Sequence, residues 1–179
     1  MPGFTIHIAV AKEYIKKHKN EIKNEEEFIK GIIDPDYISL KNPLKDKNKT
    51  HYGKWGKEET EINMDKFLED PKTNMNTDYF KGYFLHLLTD HYFYNKYFRK
   101  ETDEEIKNKD GFYYDYDCLN ERILKKYEIV LIEEIKMYMK SIKGTPKYLK
   151  PEKVVNFIEE MSNINLKEQE EINRKVKNS

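Results

Sequence analysis

The sequence predicts an all-α fold, a compact multi-helix bundle formed as a single domain over residues 1–179. Three observations predict it. Apolar residues recur at three- and four-residue spacing along most of the chain, the period of one helical face. No stretch alternates apolar and polar residues over the length that a half-buried strand requires. Aromatic side chains (14 Tyr, 9 Phe, 1 Trp) supply large apolar area to a chain that is 37% charged, so a core can form.

The elements follow in order. Ile6, Ala9, Val10 and Tyr14 share one face and predict a helix from Thr5 to His18. A second helix runs from about Asn24 to Lys30, with Glu25, Glu26 and Glu27 in its first turn and Gly31 as its stop. Pro35 disfavours the helical region for the residue before it, so Gly31 to Asp36 reads as a turn. Residues 41–60 are Lys- and Asn-rich, carry Pro43, Gly53 and Gly56, and read as loop. A short helix is expected around Asn63 to Leu68, and a long one from Thr77 to Arg99. Asp115 to Lys126 and Ile129 to Ile142 follow as helices, with Gly144 and Pro146 as a stop. Pro151 opens another helix to about Met161, and a final charged helix closes the chain.

The bulk properties exclude some function classes. Lys+Arg and Asp+Glu both number 33, so no overall field attracts a polyanion and there is no strong nucleic-acid signature. The single Cys118 cannot form an intramolecular disulfide, which fits a reducing compartment. No apolar run reaches the ~20 residues of a transmembrane segment, and no signal peptide is read at the N-terminus. The expected localisation is cytoplasmic.

Chemistry concentrates in Gly82-Tyr-Phe-Leu-His86-Leu-Leu-Thr-Asp90. Four residues on a helix amount to about 400°, which places His86 and Asp90 on one face. A carboxylate in so apolar a run costs several kcal/mol to bury unless it is strongly paired, and a divalent cation is the strongest partner. Gly82, one turn before His86, predicts close approach of another helix. His91 points about 100° away from Asp90 and is not counted as a ligand.

Four further groups lie upstream, and each has an ordinary structural role available. His7, flanked by Ile6 and Ile8, suits a core histidine bonded to a carbonyl. Asp34 and Asp36 flank Pro35, where Asp is common for local hydrogen bonding. His51 falls in the polar loop, and His18 among lysines reads as solvated. Asp115 and Asp117 read as a helix N-cap with solvated neighbours.

The order of these residues carries more than any one of them. Thr5-x-His7-x-x-x-Ala11, Phe28-x-x-Gly31-x-x-x-Pro35-Asp36, Thr50-His51-Tyr52 and Gly82-Tyr83-x-x-His86-x-x-x-Asp90 follow one another over residues 4–98. This series resembles the zinc-dependent phospholipase C family, an all-helical superfamily that includes single-strand-specific zinc nucleases. The resemblance implies that Asp36, His51 and His86 bind one zinc, that Asp90 bridges, and that His7 binds a second. Asp34 is the reserve for Asp36. The family's fuller members add a third zinc on a later His and a His-x3-Glu helix; no His follows His91, so that site cannot be built here.

A metal-dependent hydrolase is therefore expected, using one or two Zn2+ ions or another divalent metal on a phosphoester small molecule or a phospholipid headgroup. Asp36 and Asp90 are its expected catalytic carboxylates, Asp36 being able to accept the proton of an attacking water. Tyr52 and Trp55 are candidates for stacking on a nucleotide base. Two other readings stand: a non-catalytic helical metal-binding or interaction module, and an HD-like phosphohydrolase. The second needs an adjacent His-Asp dyad, and the chain offers only the reversed Asp90-His91.

Overall fold

A computed structural model describes residues 3–41, 47–55, 60–98 and 109–175. The fold is an all-α multi-helix assembly, as the periodicity predicts. Helix α1 (Phe4–Lys17) is buried on every side from Phe4 to Ala11 and forms the axis of the molecule. Around it stand α2 (Glu25–Lys41), α5 (Asp78–Tyr92), α6 (Lys109–Lys126) and α8 (Pro151–Met161). The short helices α3 (Lys47–Thr50), α4 (Met64–Glu69) and α7 (Glu133–Lys136) and the terminal α9 (Leu166–Lys175) complete it. Two strands of two residues each, β1 (Lys54–Trp55) and β2 (Thr60–Glu61), pair antiparallel. No helix among the described residues is long and apolar enough to cross a membrane.

The pairing of α2 with α5 determines where the site lies. Asp78 at the start of α5 accepts the backbone N–H groups of Lys23 and Asn24 just before α2, at 2.8 and 2.7 Å. The two helices then run side by side in the same direction. Gly82 rests on the backbone of α2, where a Cβ would lie 2.1 Å from the Phe28 carbonyl oxygen. Gly31 does the reverse, its missing Cβ facing the Tyr79 carbonyl at 2.0 Å. The close approach expected at Gly82 is present. Gly31, expected to stop a helix, is instead the other half of that contact.

The segment around Pro35 corrects the expected turn, because α2 continues through it to Lys41. Proline inside a helix leaves the carbonyl four residues earlier without its donor, at about 3 kcal/mol. The packing of α2 along α5 offsets that local cost. The extra turns bring Asp36 into the interior.

Three other expectations need correction. Of the helix expected over Ile129 to Ile142, only α7 forms. The run Ile129-Val130-Leu131-Ile132 is rich in β-branched residues that lose χ1 freedom in a helix, and it has no regular secondary structure after Glu128 turns at φ 51°. The last turns of the central helix, Phe93–Phe98, are π-helical, and Arg99 lies outside the described residues. Part of the loop expected over 41–60 also lies outside them (42–46 and 56–59), but Lys47–Thr50 is a helical turn.

Asp115 is not an N-cap. It sits in the middle of α6, fully buried, and its carboxylate accepts the backbone N–H groups of Lys147, Tyr148 and Leu149 at 2.6–2.8 Å. One side chain thus fixes the bend at Lys147 and Tyr148 that leads into α8. Asp115→Ala should cost about 3–5 kcal/mol, since charge-assisted bonds are lost and buried N–H groups are stranded. A urea midpoint equal to that of the unmodified chain would refute this role.

Candidate metal centre

The five residues singled out in the sequence converge. His7, Asp36, His51, His86 and Asp90 are all buried, none more than 4% exposed. They form two overlapping groups able to hold a metal ion: Asp36, His51 and His86, and His7, His86 and Asp90.

Four elements deliver them. Asp36 comes from the part of α2 beyond Pro35, and His51 directly follows the turn α3. That turn is fastened to α5 by Tyr83, whose hydroxyl donates to the Thr50 carbonyl at 2.6 Å. His86 and Asp90 project from one face of α5 as their spacing predicts. His7, on α1, stacks on the His86 ring with centroids 3.9 Å apart.

Protonation states follow from the second partner of each ring. His86 Nδ1 lies 2.7 Å from the Ile32 carbonyl, which can only accept, so Nδ1 carries the hydrogen and Nε2 presents a lone pair. His51 Nδ1 faces the Lys47 carbonyl at 3.2 Å and the Thr50 hydroxyl at 2.9 Å. It too is the protonated nitrogen, and its Nε2 turns inward. The two Nε2 atoms are 3.1 Å apart. Two lone pairs at that distance repel, so a positive charge, proton or metal, belongs between them.

The carboxylates complete this arrangement. His51 Nε2 lies 3.4 Å from Asp36 Oδ1 and 3.2 Å from Asp90 Oδ2. His86 Nε2 lies 3.6 Å from Asp90 Oδ2, and His7 Nε2 lies 3.1 Å from Asp90 Oδ1. One oxygen of Asp90 thus faces His7 and the other faces the His51–His86 pair, the disposition of a bridging carboxylate. A tetrahedral ion with bonds of about 2.0–2.1 Å sets its ligand atoms about 3.3–3.4 Å apart, and the four contacts around the pair fall close to that spacing. The same atoms make poor hydrogen bonds to one another. Both Asp90 oxygens, Asp36 Oδ1 and both His7 nitrogens lack an aligned partner despite complete burial. A set of buried polar atoms close together yet unpaired is suited to hold a cation.

Electrostatics agree. Burial alone would lower the His51 pKa, but hydrogen bonding and charge from Asp36 and Asp90 push it up to about 9. Burial, reinforced by the neighbouring His7, lowers His86 to about 3. Against the effect of burial, Lys47 and His51 hold Asp36 below the usual carboxylate range. His86, His51 and His7 do the same for Asp90. Without a metal, His51 is therefore the imidazolium that separates two carboxylates.

The remaining sequence candidates lie elsewhere. Asp34 accepts from the Tyr79 hydroxyl at 2.9 Å and faces away, so Asp36 is the residue of the pair that reaches the centre. His91 is paired with Asn95. His18 is not simply solvated: it stacks on Tyr14 and contacts the Ser162 carbonyl at 3.2 Å. Tyr52 packs edge-on against Phe67 and Tyr83 and bonds Asp70, which leaves its face committed to the interior. The side chain of Trp55, the other stacking candidate, lies outside the described residues.

Sequence reasoning missed Lys47, whose ammonium stands 3.5 Å from Asp36 Oδ1, and the Ile32 carbonyl that orients His86. The first sits in a Lys-rich run that reads as solvated. The second is backbone and leaves no residue-type signal. Beside Asp36 and Lys47 a cavity of about 210 Å³ opens to solvent, bounded by Phe4, Tyr113, Tyr116 and Tyr138. No family model, curated protein or solved structure matches this chain.

Proposed function

We propose that this chain is a metal-dependent hydrolase of phosphoesters, resembling zinc-dependent phospholipases C, with zinc as its metal. The observation that carries the proposal is the facing pair of Nε2 atoms of His51 and His86, enclosed by Asp36 and Asp90 at the spacing of ligands around one small ion. Imidazole and carboxylate donors together suit zinc. Asp36, His51 and His86 would hold one ion, with Asp90 and His7 beside them for a second. Zinc held there would acidify a water molecule and offset charge on a phosphoryl oxygen.

The chain's own groups do the rest. Ile32 and Lys47 carbonyls fix the two ring orientations, Asp90 holds His7 to the other ligands, and the α2–α5 contact excludes water from behind. Asp36 borders the cavity, and the oxygen of its carboxylate not given to the ion would take a proton from an attacking water. The HD-like alternative loses its basis, because His91 faces away from the cluster. A non-catalytic metal-binding module remains the second reading, favoured by the sequence, which has no His after His91 for the third site of the family it resembles.

Elemental analysis of the purified chain, with hydrolysis of bis-p-nitrophenyl phosphate, tests the proposal. Tight uptake of at least one zinc and activity lost in His86→Ala are expected. Zinc uptake without hydrolysis of any phosphoester would leave the non-catalytic module; no uptake would sink both.

Metal affinity should depend on pH in a fixed direction. In the metal-free chain the folded pKa of His51 is raised to about 9, so its proton stabilises the fold fully below about 6.5 and the benefit fades as pH rises through 9. Zinc must displace that proton. Its apparent affinity should therefore tighten by about tenfold per pH unit from pH 6.5 to 8.5. Competition with a chelator of known affinity measures this, and a flat profile contradicts it.

A further inference from the structure

One buried phenol beside the metal centre, Tyr116 on α6, has no part in holding the ion. The residue is 6% exposed, and its ring packs against Phe93 and Tyr113, with centroids 6.4 and 6.2 Å away, beside Gly3. It lines the same cavity as Asp36. Its hydroxyl has no hydrogen-bond partner among the described residues. A tyrosine buried to this degree ordinarily has one.

The surroundings decide what this hydroxyl can do. Burial first, then its neighbours Tyr94, Asp90, Tyr113 and Asp36, push its pKa well above the ordinary value, so it keeps its hydrogen and acts as a donor. The nearby carboxylates face other groups. One Asp90 oxygen faces His7 and the other faces His51 and His86. Asp36 Oδ1 faces His51 and Lys47. The acceptor for this phenol is therefore one that enters by the cavity.

Resting on the phosphoesterase reading, we infer that Tyr116 is a catalytic residue whose hydroxyl donates a hydrogen bond to a non-bridging oxygen of the substrate phosphate. A neutral donor adds no repulsion toward the cation. Its bond to an anionic oxygen is about twice as strong as one to a neutral oxygen, and a site walled off from water preserves that gain. The packed ring holds the donor in place before the substrate arrives, so little reorganisation accompanies the reaction.

Tyr116→Phe removes the hydroxyl alone. Tyr127→Phe is the control, since that residue is 7% exposed and its phenol faces Glu13 and Glu159, not the cavity. Zinc content by elemental analysis and Tm should be unchanged in both. With bis-p-nitrophenyl phosphate, kcat should fall about 10²-fold in Tyr116→Phe alone, with a smaller change in KM. Calorimetric titration of the zinc-loaded chain with orthovanadate, which adopts the five-coordinate shape of a transferring phosphoryl group, should show binding weakened about tenfold or more in the same variant. Zinc-loaded Tyr116→Phe with unchanged kcat and unchanged vanadate affinity overturns the inference and leaves the proposed function standing. A Tyr116→Phe chain that loses zinc overturns it too, because the hydroxyl then serves the ligands and not the substrate. Failure of the unmodified chain to take up zinc removes the proposed function and this inference with it.

Discussion

Asp90→Asn is expected to abolish tight zinc binding while leaving a folded chain. The substitution keeps the size of the side chain and removes the negative charge that faces three imidazoles at 3.1–3.6 Å. Removing one partner from a buried charged set costs about 3–5 kcal/mol, on the order of 10²–10⁴ in metal affinity. The metal-free chain should be less affected, because it already holds Asp36 and Asp90 near a single imidazolium and loses some repulsion along with attraction. Scanning calorimetry with and without zinc separates the two effects. In the unmodified chain zinc should raise Tm, since a ligand that binds only the folded state stabilises it by mass action. The rise should vanish in Asp90→Asn. An equal rise in both would show that zinc binds somewhere else.

The second large effect is expected from the smallest change, Gly82→Ala. On an isolated helix this substitution gains about 1 kcal/mol. Here the new methyl would sit 2.1 Å from the Phe28 carbonyl oxygen and 3.1 Å from the Ile32 nitrogen, both backbone atoms that cannot rotate aside. Overpacking costs typically 1–3 kcal/mol and more against backbone, so the steric term wins. A Tm lower by about 5–10 °C is expected at this chain length. Because Ile32 supplies the carbonyl that orients His86, any separation of α2 from α5 also loosens the metal centre, and zinc affinity should fall with stability. A Gly82→Ala chain with unchanged Tm and unchanged zinc affinity would disprove the coupling.

Much of the centre was legible because its strongest signal is local. The four-residue interval between His86 and Asp90 becomes a shared face as soon as a helix forms, and Thr77 marks where that helix starts. His7 and His51 could be placed only through the order of motifs, since nothing near either distinguishes a ligand from a core or loop histidine. What failed depended on distant partners. Pro35 reads as a break because its penalty is local, whereas the α2–α5 contact that outweighs it involves Gly82, far along the chain. Asp115 reads as a cap for its own helix because the N–H groups it accepts belong to residues 147–149. Segment 129–142 has a helical apolar count but too many β-branched residues at its start, a difference that pattern alone does not weigh.

The five donors of this centre arrive in synthesis order, from position 7 to position 90, on four separate segments, the last of which carries both His86 and Asp90. No ion can be fully held by the nascent chain until Asp90 has emerged and α5 has settled against its neighbours. A chain that binds the proposed ion in this way would have its lifetime set by the cell's metal supply: with the metal scarce, fluctuations would open the polypeptide more often and proteases remove it, so starvation would shrink the protein pool instead of leaving a reserve of idle copies.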